Sequence, residues 1–186
     1  ILMAWHENTV YFVQHDQVDS SVAIGRGVRQ GCKAAPGLFN LFVLLFLHDL
    51  MAHVPISWIQ THLTIYADDF HIGAKFTTAH DFACFHKTLG IIFWTLRSLE
   101  LQINPGKSVA LLELKGSHSH ALRKQLVQRD RDGEKLRVVM PDGDELQIPI
   151  CKSAKYLGVL ISYSNFEDAS LKHRLSLMNT GFRRLQ

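Results

Sequence analysis

At 186 residues, with 47% hydrophobic and 20% charged residues, the chain has the composition of one folded globular unit, which excludes a disordered or low-complexity protein. Its net charge of +3 is unevenly spread: residues 1–100 hold 6 Lys+Arg against 8 Asp+Glu, and residues 101–186 hold 14 against 9. The excess of +5 in the second half is compatible with contact to a phosphate backbone and equally with a solvated surface, so charge alone establishes no nucleic-acid binding.

In chain order, Thr9 to Val13 and Ser21 to Ile24 read as strands joined by the polar stretch His15 to Asp19, and they lead into the glycine-bearing segment Gly25 to Gly31. A helix is expected from Pro36 or Gly37 to about His53, with Leu38, Phe42, Leu45 and Phe46 at core spacing. Its apolar run Leu38 to Leu47 contains Asn40 and stops at His48 and Asp49, too short to span a bilayer, and no signal peptide stands at Ile1. Thr77 and Thr78 are candidate N-caps of a second helix whose stripe Phe82, Phe85, Leu89, Phe93, Leu96 and Leu99 belongs to a core.

Beyond it, Asn104-Pro105-Gly106 is turn chemistry, followed by Lys107 and a strand over Val109 to Leu112. Gly116 to Asp132, polar and basic, reads as a short helix and loop. Leu136 to Met140 and Glu145 to Ile150 form a hairpin about Pro141-Asp142-Gly143-Asp144, and Tyr156 to Ser162 is one further strand. The tail from Phe166 sets Leu171, Leu175, Met178, Phe182 and Leu185 at helical spacing and meets no stop signal, so the chain is expected to end inside an element. Cys32, Cys84 and Cys151 show no paired spacing of a zinc site, and free thiols in a reducing, intracellular compartment are the simplest account.

The most informative segment is Tyr66-Ala67-Asp68-Asp69, set between the apolar runs Leu63 to Ala67 and Phe70 to Ala74. These runs predict a tight hairpin whose turn carries both aspartates. Adjacent carboxylates repel each other, and the pair is held as a double anion where cations neutralise it; Mg²⁺, which prefers carboxylate and phosphate oxygens, is the natural partner. The plainer alternative is that Asp-Asp simply makes a good turn.

Several segments in one order then resemble the reverse transcriptases of non-LTR, LINE-type retrotransposons. Arg26-Gly27-Val28-Arg29-Gln30-Gly31-Cys32, with Pro36 and Leu38-Phe39-Asn40, resembles the template-gripping motif B; Tyr66-Ala67-Asp68-Asp69 resembles the catalytic motif C. Leu101 to Ser108 is similar to motif D, and Lys155-Tyr156-Leu157-Gly158-Val159 resembles the primer-grip region. The resemblance runs from about Arg26 to Ser162.

It implies an RNA-directed DNA polymerase, a nucleotidyltransferase that adds deoxynucleotides to a DNA primer on an RNA template by two-metal phosphoryl transfer with Mg²⁺, or Mn²⁺ in its place. Asp68 would be the main metal ligand and Asp69 the weaker one, since neighbours in a strand point to opposite faces. Tyr66 would pack near the primer end. Gln30 and Gly31 would let the backbone approach template and nucleotide, and Arg26, Arg29 and Lys33 would contact phosphates. Lys107 would donate a proton to the leaving pyrophosphate, and Tyr156, Leu157 and Gly158 would form the primer grip. Each has its ordinary alternative: core tyrosine, turn glycine, surface cation.

The implied fold is an α/β palm, an antiparallel sheet backed by two long helices with Asp68 and Asp69 at its exposed edge: residues 1–162 form a partial palm and 163–186 the start of a thumb or connection helix. Two departures stand out. Lys33-Ala34-Ala35-Pro36 replaces the usual Pro-Leu-Ser-Pro, which removes a hydroxyl at Ala35 whose capping bond is typically worth about 1 kcal/mol. No motif A aspartate precedes Gly25, and Asp16 and Asp19 sit too close to motif B to serve. The expectation is therefore a fragment inactive by itself, completed by the fingers and motif A of a parent polyprotein; the alternative is a decayed retroelement remnant, at most a noncatalytic nucleic-acid-binding or structural protein. Polymerases copying RNA into RNA fit less well, because they usually carry Gly-Asp-Asp where this chain has Ala67-Asp68-Asp69.

Overall fold

A computed structural model describes residues 9–15, 18–24 and 32–183. Strands β1 (Thr9–His15) and β2 (Val18–Ile24) form an antiparallel ladder, both running further than their apolar runs suggest. Helix α1 (Ala35–Met51) follows, with Ala34 in the N-cap position, no side-chain cap and Pro36 in its first turn. The hydroxyl-less Ala35 is thus already helical, and the position where a side chain would cap is Ala34.

Only part of the α1 surface is covered. Phe46 and Leu50 are fully buried, whereas Leu45, expected in the core, is half exposed, as are Leu41 and Leu44. The reason is that α1 packs along one stripe against α3 (Ala79–Ser98), and Leu45 lies off that stripe. Between them, Pro55 opens a short helix α2 (Ile56–His62) that the apolar periodicity does not signal. Trp58 of α2 stacks near Phe85 of α3 at 5.8 Å, and Phe76 closes on Phe82 and Phe85 at 5.0 Å each.

Helix α3 is the central strut. Thr78 caps it with a reciprocal pair: the Asp81 amide donates to Thr78 Oγ1 at 3.1 Å, and the Thr78 amide donates to Asp81 Oδ2 at 3.1 Å. Phe82, Leu89, Phe93 and Leu96 of the expected stripe are buried in the core, joined there by Ile92. Its other neighbour is a three-stranded antiparallel meander, β5 (Val127–Asp130), β6 (Gly133–Val139) and β7 (Glu145–Pro149), entered from helix α4 (Ser119–Leu126). The β6–β7 hairpin matches expectation. The preceding segment does not: after α4 it forms β5, because Gly133 at φ +125° turns the chain back and lets Val127 pair with Leu136.

Gly90 of α3 lies against this meander so closely that a Cβ would stand 2.2 Å from the Val139 carbonyl oxygen. His86 Nε2 donates to the Arg137 carbonyl at 2.7 Å, and Arg97 donates to Asp144 at 2.8 Å. The expected strand over Val109 to Leu112 is reduced to one parallel bridge, Ala110 with Ile150, in which Ala110 N donates to Pro149 O at 2.8 Å and Cys151 N to Ala110 O at 2.9 Å.

The predicted single strand Tyr156 to Ser162 is instead a hairpin, β8 (Ser153–Tyr156) and β9 (Val159–Ser162), turning at Leu157 (φ +46°) and Gly158 (φ +80°). Two central residues at positive φ give a turn whose twist matches the flanking strands. Helix α5 (Phe166–Arg183) leaves Leu171, Leu175, Met178 and Phe182 exposed, and Ser170 fastens it to β9 by accepting from Leu160 N at 2.9 Å and donating to Leu160 O at 3.2 Å. The architecture is mixed α/β: among the described residues four small antiparallel sheets, not one continuous sheet, stand with five helices, of which α1, α3 and α5 are long, an arrangement compatible with a polymerase palm-like fragment. Among the described residues no helix is long and apolar enough to cross a membrane.

Candidate catalytic hairpin

The candidate site is built on β3 (Leu63–Tyr66) and β4 (Asp69–Ile72), paired antiparallel with Tyr66 opposite Asp69. Leu63, Ile65, Phe70 and Ile72 face inward and pack against the core, and Phe70 meets Phe46 edge-on at 5.6 Å. That inward anchoring fixes the register and sends Thr64, Tyr66, Asp69 and His71 to the exposed face. The base of the hairpin is locked by Gly73 N donating to His62 O and His62 Nδ1 donating to Gly73 O, each at 3.0 Å.

The turn itself is Ala67-Asp68, one residue earlier than the expected Asp68-Asp69. Ala67 takes φ +50°, a left-handed conformation uncommon outside glycine, and this lets Asp69 enter β4 as a paired residue. Asp68 therefore sits at the tip, while Asp69 shares an exposed face with Tyr66. Both carboxylates are exposed, and among the described residues neither forms an ion pair.

The structure brings this hairpin to the β8–β9 hairpin. His71, two residues beyond Asp69 and on the same face, lies with its ring 5.4 Å from that of Tyr156. The Tyr156 hydroxyl is buried and has no hydrogen-bond partner among the described residues. Leu157 and Gly158 form the adjacent turn, both exposed. Lys107 is exposed in the turn after Asn104, which Asn104 Oδ1 braces by accepting from Gly106 N at 2.9 Å. Lys107 makes no ion pair with Asp68 or Asp69, and the structure does not draw it into contact with them.

Arg26, Arg29, Gln30 and Gly31, together with Asp16, lie outside the described residues; Lys33 is exposed in the turn before α1. Sequence reasoning missed the approach of His71 to Tyr156, although the i+2 spacing from Asp69 already placed His71 on the carboxylate's face.

A family model described as reverse transcriptase (RNA-dependent DNA polymerase) matches residues 3–161. The chain belongs to that family. The match spans the segments quoted above and begins well ahead of Arg26, where the first of them starts. No curated protein and no solved structure matches the chain. Reverse transcriptases act on an RNA template, a primer and deoxynucleoside triphosphates, and they use divalent metal ions.

The donor set at the hairpin suits such ions: two exposed carboxylates, with no competing cation among the described residues, offer hard oxygen ligands. Among the described residues no group of three or more His, Cys, Asp or Glu is arranged to hold a metal, so these two carboxylates supply only part of a coordination shell.

Proposed function

We propose that this chain is the palm portion, with motifs B to E, of a non-LTR, LINE-type reverse transcriptase, in which Asp68 and Asp69 hold Mg²⁺ or Mn²⁺. The observation that carries this reading is the exposed pair of carboxylates, Asp68 at the tip and Asp69 at the start of β4, without an ion-pair partner among the described residues, on a hairpin whose inward face is anchored in the core. When bound, the divalent ions would neutralise phosphate charge and favour ionisation of the primer hydroxyl.

The chain's own residues would do the rest. Asp68 at the tip binds foremost, and Asp69, beside Tyr66, completes the carboxylate pair. Tyr66 supports the primer end, and the Leu157-Gly158 turn grips the primer backbone beside Tyr156. Lys107 donates its proton to the departing pyrophosphate; Arg26 and Arg29 take phosphates, while Gln30 and Gly31 line the template approach. Residues 1–162 form this palm, and α5 starts the thumb or connection helix. A third metal-ligating carboxylate is supplied from outside the two hairpins, and without it the 186 residues alone are inactive.

Mg²⁺-dependent primer extension on an RNA template tests this reading, with a protein that joins this chain to an upstream motif A segment. Extension is expected from the joined protein and not from the 186 residues alone, and Asp68→Ala should lower it by more than about 100-fold, beyond what removing a group that merely supports a metal ligand costs. Silence from every form would favour a noncatalytic remnant. Mn²⁺-induced broadening of the Asp68, Asp69 and Tyr66 NMR signals, abolished in Asp68→Asn, reads metal binding without activity.

A further inference from the structure

We propose that His80 and Cys84 form a two-point chelate on the exposed face of α3 for a borderline-soft divalent cation of the Zn²⁺ class. His80 is the second residue of α3 and Cys84 follows at i+4, so the helical repeat stacks the two side chains on one face. Cys84 Sγ stands 3.5 Å from His80 Nε2, and both residues are exposed.

That separation is the argument. A tetrahedral cation about 2.3 Å from a thiolate and about 2.0–2.1 Å from an imidazole nitrogen requires its two donors to stand about 3.5 Å apart. The pair already has this separation, held by the hydrogen bond between Cys84 Sγ and His80 Nε2, so the cation takes the place of the shared proton and water fills the remaining positions. Asp81, next to His80, is no third ligand, because its carboxylate accepts from Thr77 Oγ1 at 3.0 Å and from Thr78 N at 3.1 Å as part of the helix cap.

Binding is a proton exchange. The Cys84 thiol gives its proton to solvent as the metal–sulfur bond forms, and Nε2 offers its lone pair while Nδ1 keeps the ring proton. One proton leaves per cation and no electron is transferred. With two protein donors and water in the other positions, the affinity lies below that of a closed four-ligand site. Nitrogen and sulfur donors select against Mg²⁺, so the site is independent of the Asp68–Asp69 pair in both place and metal preference.

The test is a Cd²⁺ titration of the 186-residue chain carrying Cys32→Ser and Cys151→Ser, which leaves Cys84 as the one thiol, in excess Mg²⁺. Binding is read by sulfur-to-Cd²⁺ charge-transfer absorption. A saturable band at one Cd²⁺ per chain, reversed by Zn²⁺, is expected; Cys84→Ser should abolish it and His80→Ala should weaken binding at least about tenfold, the low end of what perturbing a metal's surroundings costs. Unchanged affinity in His80→Ala would mean a thiol acting alone, and absence of a saturable band would mean no site; either result overturns the proposal. If the double replacement fails to fold, the natural chain serves, where Cys84→Ser must remove one thiol-bound equivalent and removal of none refutes the chelate.

Discussion

Ala67 shows how much a single residue decides. At φ +50° it holds the hairpin tip in a conformation that costs a non-glycine residue of order 1–2 kcal/mol, and the packing of Ile65 and Phe70 beneath supports that cost. Ala67→Gly should therefore leave stability unchanged or raise it by up to about 1 kcal/mol in thermal unfolding, where most glycine introductions lower it. The Thr78–Asp81 cap makes a second expectation. Hydrogen bonds from Thr78, then Thr77, hold the Asp81 carboxyl below its ordinary value of 3.8. A depressed pKa means that the carboxylate's contribution is fully present above that ordinary value and is lost as pH falls through the lower, folded one. Helicity measured by circular dichroism should thus decline at the acid end below about pH 4 in the natural chain, and Thr78→Ala should lose about 1 kcal/mol at neutral pH. The cap was legible as a choice between Thr77 and Thr78, and the reciprocal bonds with Asp81 settle it on Thr78. The hairpin's one-residue shift was not, because a turn of Asp68-Asp69 and one of Ala67-Asp68 satisfy the same apolar alternation and send Phe70 inward alike, so side-chain patterning does not distinguish the observed pairing of Ile65 with Phe70 and Tyr66 with Asp69.

Among elements, the contact between α3 and β6 is the least forgiving. Gly90→Ala adds favourable helix propensity, but its Cβ would meet the Val139 carbonyl oxygen at 2.2 Å, backbone that has little freedom to yield. A net destabilisation of about 1–3 kcal/mol is expected in denaturant unfolding, the range for overpacking. Ser170→Ala acts elsewhere: it removes both bonds to Leu160, and amide exchange should quicken in β9 and α5 while α3 stays protected. The long helices and the β6–β7 hairpin were readable because periodicity and Asp-Gly turn chemistry agree with their packing. Helix α2, strand β5 and the β8–β9 turn were not. Each is short: α2 and the β8–β9 turn rest on partners distant in sequence, Trp58 on Phe85 and Tyr156 beside His71, while β5 rests on the Gly133 turn that sets Val127 opposite Leu136. Leu45 failed for the opposite reason, since its helical spacing suits a core that α1 covers with a narrower stripe.

Across the whole molecule, the basic surplus of the second half divides into two populations. Arg123 and Arg129 pair with Glu134, Lys135 with Asp130 and Asp132, and Arg137 with Glu145, so the meander neutralises most of its own charge. Exposed pairs of this kind contribute at most about 1 kcal/mol each, so salt should change stability little. Lys152 immediately precedes β8 and Lys155 lies within it, and neither makes an ion pair among the described residues. Replacing both with Gln should make the slope of log affinity against log salt for duplex binding shallower by about 0.9 for each phosphate they neutralise, whereas Arg129→Gln should leave it unaltered in a filter-binding series. The Ala110–Ile150 bridge has its own bearing on this charge map. Because the chain leaves and re-enters at neighbouring residues, the segment between them is by connectivity a cassette that a short linker could replace; but Leu136, Val138 and Ile148 from that cassette stand in the core, and Gly90 is pressed against it. The outer faces and loops of these strands should therefore accept substitution freely, while the wall they present to α3 can change only as a unit.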